Sequence, residues 1–157
     1  MASPALNRRE YSGLVSRLAA LAVDVALISI AAAAVRILPG AIWSEVLGRP
    51  APAWVDTAAG AAALALPWAY FTVSWWLNGQ TVGDLLLGLV VLRRDGAELP
   101  LPHAALRAAG GLLLAPVWLV GLVMVLWDDR RRALHDRVFG TVVRYAPGAR
   151  SLARTSR

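Results

Sequence analysis

The stretch LVSRLAALAVDVALISIAAAAVRIL, residues 14–38, decides what kind of protein this is. It is almost continuously apolar, interrupted only by Arg17, Asp24 and Arg36 among charged residues. At about 1.5 Å of rise per residue it is enough helix to cross a hydrocarbon core of about 30 Å. Arg8 and Arg9 precede the run and small residues follow near Ala32 and Ala34, as in a cleaved signal peptide. The apolar run is too long for such a core and carries Asp24 in its middle, so it reads as a spanning helix.

Further along, two more apolar segments follow. After the Pro/Gly-rich connection Pro39–Ala53, a second span runs from about Val55 to Leu77. It opens on the small residues 58–63, which permit close helix approach. Pro67 interrupts it, and Trp68, Tyr70, Trp75 and Trp76 thicken its far end, as lipid-interface anchors do. Trp43 and Trp54 flank the connection as further anchors. The third segment covers about Leu106–Trp127, with Gly110, Gly111 and Pro116 inside.

Between the second and third segments the pattern changes. Asn78-Gly79 breaks the helix, and Leu85–Leu92 is too short to span. The residues 89–94 and 97–99 flank Asp95-Gly96, a pair that favours a hairpin turn. This region reads as an interfacial helix followed by a small β-hairpin, ended by Pro100 and Pro102. The expected fold is therefore an all-α membrane protein, a small bundle of about three hydrophobic segments with that insertion. A polar segment (1–13) precedes the transmembrane domain (14–145), and a basic tail (146–157), expected to be disordered, follows it.

Composition supports this class and excludes others. Of 157 residues 58% are apolar, above the roughly 45–50% of soluble domains. The net charge of +6 comes with 16 arginines and no lysine. Half of them lie after residue 129 and the rest sit mainly at the ends of apolar runs. That distribution suits anionic lipid headgroups, not nucleic acid. With no cysteine, and only His103 and His135 as imidazoles, neither a thiolate metal site nor an all-histidine cage can form, and no metal or cofactor is expected. The glycines of 79–83 lack the spacing of a dinucleotide fingerprint. His135 and Asp136 are adjacent and point apart on a helix, so no catalytic dyad is expected and the chain does not read as an enzyme.

Three full crossings would leave the two basic ends on opposite sides. Placing both inside the cell requires that one segment not cross, and the third, with its glycine pair and proline, suits a re-entrant helix.

The chemistry concentrates in a candidate intramembrane polar cluster of Arg17, Asp24, Arg107 and Asp136. A carboxylate in mid-span costs about 2.5–3.5 kcal/mol and seeks a partner in the bundle interior. Arg17 lies seven residues before Asp24, on the same face but separated by about 10.5 Å of rise. Arg107 is the first candidate to neutralise Asp24, and protonation is the second. Such a pair either fixes helix register or takes part in moving a proton, ion or solute.

These residues resemble the RDD family of bacterial membrane proteins, named for one arginine and two aspartates. The resemblance runs through residues 11–17, Asp24, Gly79-Gln80-Thr81-Val82-Gly83, residues 87–91, Asp95-Gly96 and Arg107. It closes on Arg132-Ala133-Leu134-His135-Asp136 and residues 140–143. Asp136 would be the second aspartate of the name. Asp84 departs from the pattern, standing where the family commonly carries lysine. The resemblance implies a multi-pass protein of the bacterial cytoplasmic membrane, with transport as the usual assignment. Two roles follow as expectations: a transport component for an ion or small solute, or a non-transporting scaffold for another membrane complex. Either would work in the lipid bilayer, as a homo-oligomer or with a membrane-protein partner.

Overall fold

The computed structural model describes residues 12–114 and 134–146. Two long helices, α1 (Leu14–Leu47) and α2 (Ala53–Asn78), form an antiparallel pair. A short helix α3 (Val82–Leu86) and strand β1 (Leu89–Arg93) follow. Next come helix α4 (Leu101–Leu113), helix α5 (Leu134–Val138) and strand β2 (Thr141–Tyr145).

Helix α1 runs further than the sequence implies, straight through Pro39 to Leu47. Proline deletes one helical N–H and crowds the preceding turn, yet the helix resumes beyond it, with Ser44 Oγ donating to the Gly40 carbonyl at 2.8 Å. It stops at Gly48, which takes a left-handed φ of 61° and returns its N–H to Ser44. The connection to α2 shrinks to a few residues. At 34 residues α1 is about 51 Å long, well beyond a bilayer core of about 30 Å. It is also the one described helix long and apolar enough to cross a membrane, and only 17% of its most apolar window is buried. Helix α2 has the length, but its proline and aromatic residues dilute its hydropathy.

The far end of this pair is polar at its surface. Arg36 meets Asp56 at 3.5 Å, both half-exposed, and Trp43 packs edge-on against Trp54 at 5.8 Å. Everything else gathers at the other end. Gly79, in the left-handed region at φ 63°, ends α2 as the Asn78-Gly79 pair predicts.

The predicted hairpin is not formed. The chain does turn at Asp95-Gly96, where Gly96 N–H reaches the Arg93 carbonyl and Arg93 N–H reaches Ala97. Residues 97–99, however, leave the sheet: Leu99 plugs into the core and Pro100 has no N–H to offer a ladder. Strand β1 pairs instead with β2, antiparallel, from Leu89 opposite Tyr145 to Arg93 opposite Thr141. Both outer edges of this ribbon are occupied. Val91 N–H donates to Gly79 and Ser12 N–H donates to Val143, so neither edge is left open. The core lies here, where Ala20 of α1, Leu89, Val91, Leu99, Ala104 of α4 and Val143 pack together, with Trp75 against them.

The interfacial helix expected over residues 85–92 is reduced to the single turn of α3. It sits so close to α1 that a Cβ on Gly83 would come within 2.1 Å of the Ala20 carbonyl oxygen. The ends of the described chain also meet: Ser12 bonds β2, and Ser16 Oγ lies 2.8 Å from the Tyr145 hydroxyl. Both therefore emerge at the same end of the helix pair. Helix α4 starts at this end, where His103 bonds Phe139, and α5 is back at it, where Asp136 meets Arg17. The start of α4 and the helix α5 thus lie at the same end of the helix pair. Of the third apolar segment, residues 115–127 lie outside the described residues, as do the first eleven residues, the arginine run 130–132 and the last eleven.

Two glycines separate close approach from mere helix propensity. Gly83→Ala must push backbone against backbone and is expected to cost about 3 kcal/mol or more. Gly111→Ala, with nothing within 4 Å of its Cβ, is expected to stabilise by about 0.5–1 kcal/mol. Thermal melting of the detergent-solubilised protein checks both.

Candidate functional site: two buried polar centres

The four predicted residues are all buried, but they form two centres rather than one cluster. The first joins Arg17, Arg107 and Asp136. Asp136 has no exposed surface; Arg17 Nη1 ion-pairs with its Oδ2 and Arg107 Nη2 with its Oδ1, the latter at 2.9 Å. Thr141 Oγ donates to the same Oδ1 at 3.2 Å and accepts from Arg107 Nη1. Arg17 Nε donates to Ser12 Oγ at 2.9 Å, and the Arg107 guanidinium lies over the Trp75 ring, 4.8 Å from its centroid. One carboxylate thereby ties α1, α4, α5 and β2 together.

The second centre surrounds Asp24, and Arg107 is not in it. Asp24 accepts three hydrogen bonds: from the Tyr70 hydroxyl at 2.7 Å, Thr81 Oγ at 2.6 Å and the Gly83 N–H at 2.8 Å. All three donors are neutral. They belong to α2 and to the first turn of α3, so the carboxylate caps α3 from outside its own chain segment. The other exposed N–H groups of that turn are also satisfied. Val82 N–H goes to the Tyr70 oxygen and Asp84 N–H to Thr81 Oγ. The Asp84 carboxylate returns to Thr81 N–H, closing a capping box.

Why Arg107 and Asp24 stay apart follows from spacing. Arg17 and Asp24 share the buried face of α1 with Ala20 and Ile28, as the seven-residue interval requires. The offset along the axis, about 10.5 Å, puts them in different layers. The arginine layer coincides with α4 and α5; the aspartate layer coincides with α3.

Sequence reasoning missed Tyr70, Thr81, Gly83, Ser12 and Thr141. A signal existed for one group, since Thr81-x-x-Asp84 has the capping-box pattern. Tyr70 and Trp75 were read as lipid anchors, but both turn inward, whereas Trp68 and Trp76 remain substantially exposed. His135 lies in α5 beside Asp136. Among the described residues no group of three or more histidine, aspartate or glutamate side chains is placed to share a metal ion.

Burial pushes the Asp84 carboxyl above its ordinary 3.8, more than its hydrogen bonds from Thr81 lower it, and the nearby Asp24 charge adds to the rise. A raised folded-state pKa means that the folded protein holds this proton more tightly than the unfolded chain. Its stabilising contribution is full below 3.8 and is lost as pH climbs through the raised value. Asp84→Asn is expected to flatten that decline, read as melting temperature against pH.

The two kinds of ion pair call for different costs. Asp136→Asn removes the buried carboxylate charge that Arg17 and Arg107 both pair with, and about 3–5 kcal/mol of stability is expected to go. Arg36→Gln, at the exposed pair, is expected to cost about 1 kcal/mol or less. Melting both variants side by side in detergent tests this difference.

Over 75 residues the chain is 25% identical to the uncharacterized protein RP437 of Rickettsia prowazekii (strain Madrid E), 48% of this chain and 42% of that protein's length. No solved structure matches it. The family model of the RDD family matches residues 11–140, a range that holds Arg17, Asp24, Arg107 and Asp136 alike. The chain belongs to the RDD family of bacterial membrane proteins.

Proposed function

We propose that this is a multi-pass protein of the bacterial cytoplasmic membrane that acts as a scaffold for another membrane component and does not itself move a solute. One observation carries the reading. Among the described residues, every hydrogen bond on the mid-span carboxylate Asp24 comes from α2, from α3 or from the N-cap of α3, in a geometry that leaves it engaged as a helix cap. A coupling carboxylate must exchange partners during a cycle, and this one anchors the turn on which β1 depends.

The outer surface supports the same reading. Val15, Ile30, Val46 and Leu64 are each more than 70% exposed, on helices that have lipid or another protein to cover them. The headpiece at the other end is stiffened by buried ion pairs. It carries Arg93, Arg94, Arg137 and Arg144, against Arg36 and Arg49 towards the far end, and this bias favours a cytoplasmic headpiece. We read no catalytic role in it.

Transport is the second reading, favoured by one fact: five ionisable side chains, Arg17, Asp24, Asp84, Arg107 and Asp136, are kept buried at a cost that a merely structural protein has little reason to bear. Liposome flux separates the two. With the purified protein reconstituted under an imposed pH gradient and a panel of cations, decay is expected at the same rate for wild type and Asp24→Asn. The variant should lose melting temperature instead. Decay that requires Asp24, in protein of unchanged stability, would overturn the scaffold reading. Mild-detergent extraction from native membranes is expected to recover a stoichiometric membrane-protein partner in addition to copies of this chain.

A further inference from the structure

Neither buried centre uses the cleft on the outside of the headpiece. It is an open cavity of about 520 Å³ between the turn after β1 and the segment joining α5 to β2. Arg93, Arg94 and Arg137 line it together with His103, Phe139 and Gly140. Among the described residues that line it are three arginines and one acid, Asp95, which reaches Arg93 at 3.3 Å.

Its walls are held, not loose. Arg94 N–H donates to the Gly140 carbonyl at 2.9 Å, fixing one wall to the other. His103 donates from Nε2 to the Phe139 carbonyl at 2.6 Å, which pins the start of α4 beside them. The Phe139 ring lies directly over Gly110, where a Cβ would meet it at 2.4 Å. The arginine side chains are therefore presented from a rigid frame, and a planar guanidinium fork suits the tetrahedral oxygens of a phosphate.

Apolar surface continues from the rim. Val138 is 63% exposed within the cleft lining, and Leu101 and Leu106 on α4 are 43% and 65% exposed. A cationic notch beside exposed aliphatic side chains matches a molecule with an anionic head and a hydrocarbon body. We propose that this cleft binds the headgroup of an anionic phospholipid, with Arg93, Arg94 and Arg137 on the phosphate and the acyl chains along α4.

The site is independent of whether the protein transports or scaffolds. It would seat the headpiece at a fixed height on the leaflet that its arginines face. Near an anionic surface each arginine is worth about fivefold in affinity, so three together are worth roughly 100-fold.

Native mass spectrometry of the full chain in detergent tests this, using phosphatidylglycerol and phosphatidylcholine as probes. Wild type is expected to prefer phosphatidylglycerol at least tenfold. The triple variant Arg93→Gln, Arg94→Gln, Arg137→Gln is expected to lose that preference, and Arg36→Gln, at the opposite end, to keep it. If the triple variant does not fold, Arg94→Gln alone, at an exposed side chain, is expected to lower the preference about fivefold. Equal affinity for the two lipids, or a preference that survives the substitutions, would overturn the proposal. So would displacement of phosphatidylglycerol by millimolar glycerol phosphate, which would make this a site for free phosphate.

Discussion

The Asp136 carboxylate, held between two arginines that lie 90 positions apart in the sequence, is the constraint on which the headpiece depends. Arg17 opens α1 and Arg107 sits in the middle of α4. Both side chains are buried. A guanidinium without its counter-charge in such a place is costly enough to open the structure. Because α5 supplies the counter-charge and β2 follows directly after Gly140, the ion pairs also deliver β2 to β1. The sheet, in turn, holds Ser12, and Ser12 accepts from Arg17. The loop of dependence closes on itself, which gives such a small assembly a defined shape without a large core.

Asp24 does comparable work one layer deeper with quite different chemistry. Among the described residues it recruits no cation. Its charge is spread over a phenol, a threonine hydroxyl and a backbone N–H, the arrangement by which helix N-termini accept anions. The close approach of α3 to α1 permits this, and that approach needs a glycine at position 83. The charge at Asp84 takes on meaning in the same place. The family resemblance leads one to expect lysine there, at an interface. In this chain the side chain turns inward, closes the capping box and stands near Asp24, so the position serves the turn instead of facing lipid or water.

A division of labour along the helix pair follows. Polar and packed groups occupy the end at which both described termini emerge. Between Asp24 and Arg36, α1 is apolar on nearly all sides and has few buried residues, as a helix surrounded by hydrocarbon can be. Leu14–Val35 is about 33 Å long, close to the thickness of a bilayer core, and the Arg36–Asp56 pair and the Trp43–Trp54 contact lie beyond its end. Aromatic rings and exposed ion pairs are stable there because one side of each can remain wet.

Much was legible in the residues themselves. A long, nearly continuous apolar run marks a candidate membrane helix because hydrophobicity is a local, additive property. The stop at Asn78-Gly79 and the turn at Asp95-Gly96 are local backbone chemistry, and the shared face of Arg17 and Asp24 is helical periodicity. Pro39 misled, because its local preference to end a helix is small beside the hydrogen bonds that continue on either side. What the sequence by itself determined, then, is class, polarity and which side chains must be buried. Only the tertiary structure decided who meets whom: that β1 takes a strand some fifty residues away over its own neighbour, that Arg107 goes to Asp136, and that Asp24 is met by hydroxyls and an N–H. The physical reason is that a buried charge demands a partner but does not specify one. The choice falls to whichever donor the packing of several elements brings within 3 Å, and no single segment carries that information.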